Sequence, residues 1–199
     1  VLFSILAPSR CAACDTPCDA RALLCFACAA TVARSGDPRA PFVYGGALAT
    51  AITRFKYGRV PELARPLGAL LAHEATKISV APDAIVVPVP LHPSRLFERG
   101  FNQAALLARP VAKMLKLRFD ARTLARVRPT PKQSELDRAA RLRNVMGAFR
   151  ARREIARPVL LVDDVRTTGA TQEACAEALR GARCPHVQCL VLAIAPPPE

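Results

Sequence analysis

The run VLLVDDVRTTGAT, from Val159 to Thr171, restricts what this chain can fold into more than any other stretch, because it meets four physical requirements in consecutive residues. Val159, Leu160, Leu161 and Val162 make a short, partly β-branched block of the kind a parallel strand needs when both faces are buried. Asp163 and Asp164 are expected to end that strand. Two adjacent carboxylates at the carboxyl edge of a buried strand lie where open α/β sheets bind ligands, and they repel unless hydroxyls or a cation share them. Thr167, Thr168, Gly169, Ala170 and Thr171 follow, small enough for backbone N–H groups to close on an anion at the start of the next helix. Strand, acid pair, phosphate cradle and helix thus come in order, without a Walker lysine. Either half alone would read as an ordinary helix start, since Asp and Thr favour such positions. The whole run, in its strand-then-helix context, reads as a site.

Cys11 and Cys14, then Cys25 and Cys28, give C-x2-C-x10-C-x2-C, the spacing of tetrahedral zinc. Each hook presents two thiolates from a tight turn, and the residues between let the second pair fold back on the first. A metal would substitute for a core that so short a segment cannot build. Disulfides are the alternative in an oxidising compartment, and redox-active pairs the alternative within a larger domain. With a cysteine at all four positions, the site reads as closed and structural. Cys18, between the hooks, is a less regularly spaced substitute ligand, whereas Cys175, Cys184 and Cys189 read as small buried hydrophobes.

A chain of 199 residues, 51% of them apolar, can bury one substantial α/β core and carry a small appendage. No apolar run approaches the roughly 18 residues of a membrane span. The opening VLFSILAP is too short and lacks the basic flank of a signal peptide, so a cytoplasmic location is expected. The formal charge of +13 comes mostly from arginine between Pro90 and Pro158, and it calls for anionic partners. With no Trp, two Tyr and eight scattered Phe, there is no obvious ladder on which bases would stack. Charge alone therefore leaves nucleic-acid binding open.

Between the two ends, residues 35–41 are rich in Gly, Pro and charge and read as a linker. A short strand is expected around Phe42 to Tyr44, then a helix carrying Leu48, Ile52 and Phe55 at helical spacing, then a second helix across residues 63–81. Lys56, followed by Tyr57 and Gly58, reads as ordinary helix-end capping in preference to a ligand-facing patch. Ala84 to Val89 is a second β-branched strand that stops at prolines, and PVPLH after it is a stiff loop whose remaining N–H groups suit an anion. Arg95, Arg99, Asn102 and Gln103 cluster at the next turn and helix start, where they either cap the helix or serve that anion. Residues 124–149 combine Pro129 and Pro131 with Lys132, Gln133, Arg138, Arg141, Arg143 and Asn144, and read as a mobile basic lid. Further strands near residues 116–119, 159–162 and 187–194 complete a largely parallel sheet with helices on both faces.

The acid-acid then Thr-Thr-Gly-x-Thr order resembles the signature of type I phosphoribosyltransferases. With CxxC…CxxC, FKYG, DAIVVPVPLH, RGFNQAALLA and the Q-x7-R-x2-N lid in the same order, nearly the whole chain resembles the ComF family, which includes GntX-like proteins. The resemblance implies an α/β, Rossmann-like phosphoribosyltransferase domain over residues 42–199 behind a zinc-finger segment over residues 1–36. It implies phosphoribosyl pyrophosphate (PRPP) as ligand, with Mg2+, and structural Zn2+ on Cys11, Cys14, Cys25 and Cys28. In it, Asp163 and Asp164 take the ribose hydroxyls, while Arg166, Thr167, Thr168, Gly169, Ala170 and Thr171 take the 5′-phosphate. Val89, Pro90 and Leu91 belong to the pyrophosphate loop, Arg99 and Lys132 stabilise charge developing on the leaving pyrophosphate, and Gln133 and Arg141 reach the ligand from the lid. It further implies a role in natural competence and DNA uptake, with single-stranded DNA and DNA-processing proteins as partners. No acceptor pocket is identifiable from the residues. Phosphoribosyl transfer, single-stranded DNA binding and PRPP sensing without transfer are therefore the functions to be separated.

Overall fold

A computed structural model describes residues 10–19, 22–58, 60–129 and 145–196. Among these, α1 (Phe26–Ala29) is followed by β1 (Phe42–Val43), α2 (Gly46–Tyr57) and α3 (Ala64–Ala75). Then come β2 (Ile85–Pro88), α4 (Pro93–Arg99), α5 (Gln103–Leu115), β3 (Arg118–Phe119) and β4 (Leu124–Arg126). The chain continues through β5 (Phe149–Ala151), β6 (Val159–Arg166), α6 (Ala170–Arg180) and β7 (Val187–Ile194). The main sheet has the order β1-β7-β6-β2-β3, and every pairing in it is parallel.

The expected central strand is β6, held between β2 and β7. Although its apolar block looks continuous, the period of two still sorts it. Leu160 and Val162 pack with α2, α3 and α5, together with Leu48, Ile52, Phe55, Leu71 and Leu107. Val159 and Leu161 pack on the other face with Cys175 and Leu179 of α6 and with Leu124 and Phe149. The strand does not stop at the acid pair, as its sequence suggested. It continues to Arg166 because β7 runs beside it that far, matching Asp163 with Val191 and Arg166 with Ile194.

Helix α5 starts where the Asn102 side chain accepts from the N–H of Ala104 (3.0 Å) and of Ala105 (3.4 Å), a side-chain cap on two otherwise orphaned donors. The same amide donates to the Val89 carbonyl at 3.1 Å, which ties the helix start to the loop after β2. Helices α3 and α5 approach closely at Gly68, where a Cβ would lie 2.7 Å from Pro110 Cγ. The helix expected across residues 63–81 ends at Ala75, and beyond it the Thr76 hydroxyl donates to the His73 carbonyl at 2.7 Å.

Two further features differ from the sequence reading. Leu124–Arg126 and Phe149–Ala151 form a small antiparallel hairpin, too short to signal itself by periodicity. Residues 35–41, expected as a linker, are stitched to the sheet edge: Ala40 is fully buried, and the Arg39 carbonyl accepts from Val191 N–H at 2.9 Å. Among the described residues, no helix is long and apolar enough to cross a membrane.

Candidate functional site

Because β2 and β6 are parallel neighbours, their carboxyl ends open on the same side, the usual ligand edge of an α/β sheet. A cleft of about 320 Å³ lies there. Val89, Pro90 and Leu91 come from the loop after β2, Asp163 and Asp164 from the end of β6, and Thr167 and Thr171 from the loop and helix that follow. Arg95, Arg99 and Arg126 add cationic walls, joined by Tyr44, Lys56, Tyr57, Gln103 and Gln172.

The period of two sends the two acids to opposite faces. Asp163 turns toward α6, where Gln172 Nε2 donates to its Oδ2 at 2.7 Å. Its Oδ1 accepts from the N–H of Asp164 at 2.9 Å. Asp164 turns toward α2, and its Oδ2 lies 2.7 Å from Lys56 Nζ in an ion pair whose side chains are 5% and 16% exposed. Its Oδ1 accepts from the N–H of Val165 at 2.8 Å. Burial, followed by the neighbouring Asp164 charge, raises the Asp163 carboxyl well above the usual carboxylate range. Burial alone would lower the Lys56 ammonium, but the Asp164 carboxylate more than offsets it and raises the pKa. Lys56 is therefore the cation that shares the acid pair. Its sequence position, one residue before Tyr57 and two before Gly58, had pointed to helix capping instead.

Gly169, at φ +81°, caps α6 in the left-handed conformation, so the Thr167-Thr168-Gly169 turn leads directly into a helix amino terminus that favours an anion. Arg99 stacks its guanidinium over the Tyr57 ring at 5.1 Å and donates to Gln103 Oε1 at 2.6 Å. Arg126 is buried, and desolvation followed by the Arg95 charge lowers its pKa. Two arginines converging on one cleft from β4 and α4 favour a bound anion between them.

Most of the sequence-expected residues within the described chain thus meet in one cleft. Arg166 does not line it: its guanidinium pairs with Asp37 Oδ2 at 2.8 Å, which secures the sheet edge behind the phosphate loop. Lys132, Gln133 and Arg141, with the rest of residues 130–144 of the expected lid, lie outside the described residues, whereas its two ends form β4 and the start of β5. Lys56, Arg126, Tyr44, Tyr57 and Gln172 were missed as site residues. For Gln172 a signal did exist, since it stands in the first turn of the helix that follows the phosphate-type loop.

The hooks form a second centre. The sulfurs of Cys11, Cys14, Cys25 and Cys28 all lie within 4.8 Å of one another, and Cys14 Sγ is 3.7 Å from Cys25 Sγ. Tetrahedral zinc with Zn–S bonds of about 2.3 Å separates its sulfurs by about 3.8 Å, so the four thiols fit structural zinc. Cys18 stands apart and donates weakly to the Ala22 carbonyl at 3.9 Å.

Sheet order, the acid pair ahead of a phosphate-type loop and the four-cysteine cluster define the class: an α/β protein of phosphoribosyltransferase type with an amino-terminal segment built on two cysteine hooks. The chain belongs to the ComF family. It is 36% identical over 156 residues to DNA utilization protein YhgH of Escherichia coli strain K12, covering 74% of this chain and 68% of that protein. It is 34% identical over 143 residues to Competence protein F of Haemophilus influenzae, covering 67% of this chain and 62% of that protein. Among solved structures it is similar to glutamine PRPP amidotransferase from B. subtilis, with a TM-score of 0.48 and 17% identity. That likeness covers 70% of this chain and 30% of the amidotransferase. No family model matches the chain.

Proposed function

We propose that the cleft binds PRPP and that the protein serves DNA uptake or utilisation, as the names of its relatives suggest. The observation that carries this reading is the meeting of three anion- or diol-binding features in one cleft: the β6 acid pair, the Thr167 to Thr171 loop and the arginines opposite them. In this reading the loop and the α6 amino terminus hold the 5′-phosphate, with Thr168, Gly169 and Ala170 contributing backbone. Asp163 and Asp164 accept from the ribose hydroxyls. The pyrophosphate lies against Val89, Pro90 and Leu91, between Arg95, Arg99 and Arg126, where three guanidinium groups face its charge. In the same reading Lys132, Gln133 and Arg141 approach from the lid.

Mg2+ does not fit as a resident of the acid pair, because the Lys56 ammonium already stands 2.7 Å from Asp164 Oδ2 and would repel a second cation there. No direct protein ligand is therefore assigned to Mg2+, which in this reading would come with the ligand. The acid pair, the loop and the arginines all serve to hold a ligand, so ligand binding has more support here than phosphoribosyl transfer.

Calorimetric titration with PRPP tests the site, using Asp163→Asn and Asp164→Asn variants whose folding is checked by circular dichroism. Binding by the parent and its loss in both variants is the expected result, and unchanged affinity in both removes the assignment. A second reading, single-stranded DNA binding, is favoured by Tyr57, 67% exposed under the Arg99 guanidinium in the cleft wall, and by Phe97, 92% exposed on the same helix as Arg95 and Arg99. Affinity for labelled oligonucleotides should then fall steeply with salt. No binding at low salt would dismiss it.

A further inference from the structure

We infer that Arg54 is a positioning residue that couples the four-cysteine segment to the candidate PRPP site by fixing the helix turn that carries Lys56. The functional meaning of this coupling rests on the PRPP reading above, but its geometry does not.

The last turn of α2 points successive side chains in different directions. Arg54 faces the first cysteine hook, and its Nη1 donates to the carbonyls of Cys11 (3.4 Å), Ala12 (3.1 Å) and Ala13 (3.4 Å). Its Nη2 donates to Asp15 Oδ1 at 3.1 Å. Phe55 is fully buried and stacks on Phe101 at 5.3 Å. Lys56 reaches across to Asp164. The same helix is held at its other end by the second hook: Ala47 N–H donates to Thr31 Oγ1 at 2.9 Å, and that hydroxyl donates to the Cys28 carbonyl at 2.8 Å. Gly46, at φ +51°, makes this approach possible, since a Cβ there would sit 2.6 Å from the Thr31 carbonyl oxygen.

Each hook therefore grips one end of α2. A fan of carbonyls converging on one guanidinium requires the hook backbone to be fixed, and closing a metal on four thiolates fixes it. When the hook opens, the carbonyls disperse and the final turn of α2 keeps Phe55 as its anchor. A shift of about 1 Å is enough to take a charge-assisted hydrogen bond out of its range, so Lys56 would part from Asp164. Zinc in this protein then holds, through Arg54, the cation that shares the acid pair.

Reductive methylation of the full, zinc-loaded chain, quantified lysine by lysine by mass spectrometry, tests the coupling. Lys56 is expected to be methylated at least about tenfold more slowly than exposed Lys113 and Lys116, because reaction requires local opening. Arg54→Met, with its zinc content unchanged, and the parent protein after chelation should both bring Lys56 close to the rate of Lys113. Arg54→Lys should restore part of the protection. A merely structural role would lower the melting temperature without singling out Lys56, and protection of Lys56 that persists in Arg54→Met overturns the proposal. PRPP titrations run in parallel separate the two readings. If the parent binds, Arg54→Met should bind about tenfold more weakly, and equal affinity counts against the coupling. A parent that does not bind refutes the PRPP reading, and the coupling is then judged on methylation alone.

Discussion

Replacing Lys56 by Met keeps the apolar stem of the side chain and removes its charge, leaving Asp164, 5% exposed, without the cation 2.7 Å away. Removing one partner of a buried pair typically costs about 3–5 kcal/mol. The acid pair has another course, which is to take up one further proton. At pH 7, against an ordinary Asp value of about 3.9, that costs about 4 kcal/mol, and at pH 5 about 1.5 kcal/mol. These figures set a ceiling that depends on pH. In the variant a carboxyl of the pair titrates higher in the folded than in the unfolded state. Stability relative to the parent is thus retained below the unfolded value and is lost as pH rises toward the folded one. Urea unfolding at pH 7 and pH 5 should show a deficit of about 3–4 kcal/mol at the first and about 1–2 kcal/mol at the second. Adding Asp164→Asn should recover most of the deficit and abolish its pH dependence. A deficit below about 1 kcal/mol at pH 7, or one equal at both pH values, would refute the idea that Lys56 compensates a buried acid pair.

Other parts of the structure yield separate expectations. Glu74, 5% exposed, accepts from Arg34 at 2.7 and 2.9 Å and from Lys77 at 2.9 Å, and the Arg34 hydrogen bonds lead in holding its carboxyl down to about 2. Its contribution is full above the ordinary Glu range, near 4.3, and is lost as pH falls toward 2. With both cations half exposed, Glu74→Gln should cost about 1–2 kcal/mol at pH 6 and little at pH 2, read from urea midpoints. Gly46→Ala meets both a positive φ and the Thr31 carbonyl, so it should cost about 2 kcal/mol or more, measured as a fall in melting temperature. Cys25→Ser should lower bound zinc well below one equivalent by elemental analysis, whereas Cys18→Ser should leave it unchanged.

The parts of this molecule that could be read from sequence are those whose causes are local. The β6 block, the small residues of the phosphate loop and the spacing of the two hooks each carry their constraint within a few residues. The Asn102 cap is local too, and the structure settles that residue as a cap while leaving Arg99 in the cleft. Lys56 could not be read because the carboxylate that defines it lies more than a hundred positions away, and a lysine ahead of a glycine is ordinary at a helix end. Arg126 belongs to a hairpin strand of three residues, below the length at which alternation is visible. Arg166 adjoins the phosphate loop in sequence, and only the folded chain reveals that its side chain also pairs with Asp37 at the sheet edge.

The acid pair and the cation that shares it hang from supports of very different durability. Strand β6 is bonded to a parallel neighbour on each side, and amides of such a central strand exchange with solvent only when the domain opens as a whole. Helix α2 presents the opposing cation from its final turn, and beyond its buried face the ties at its two ends, from Arg54 and Ala47, lead into a segment organised by four cysteines. The wall formed by β6 should thus keep its shape through fluctuations that release the wall formed by α2. The cleft would then open from one side, as a hinged cover does against a fixed frame.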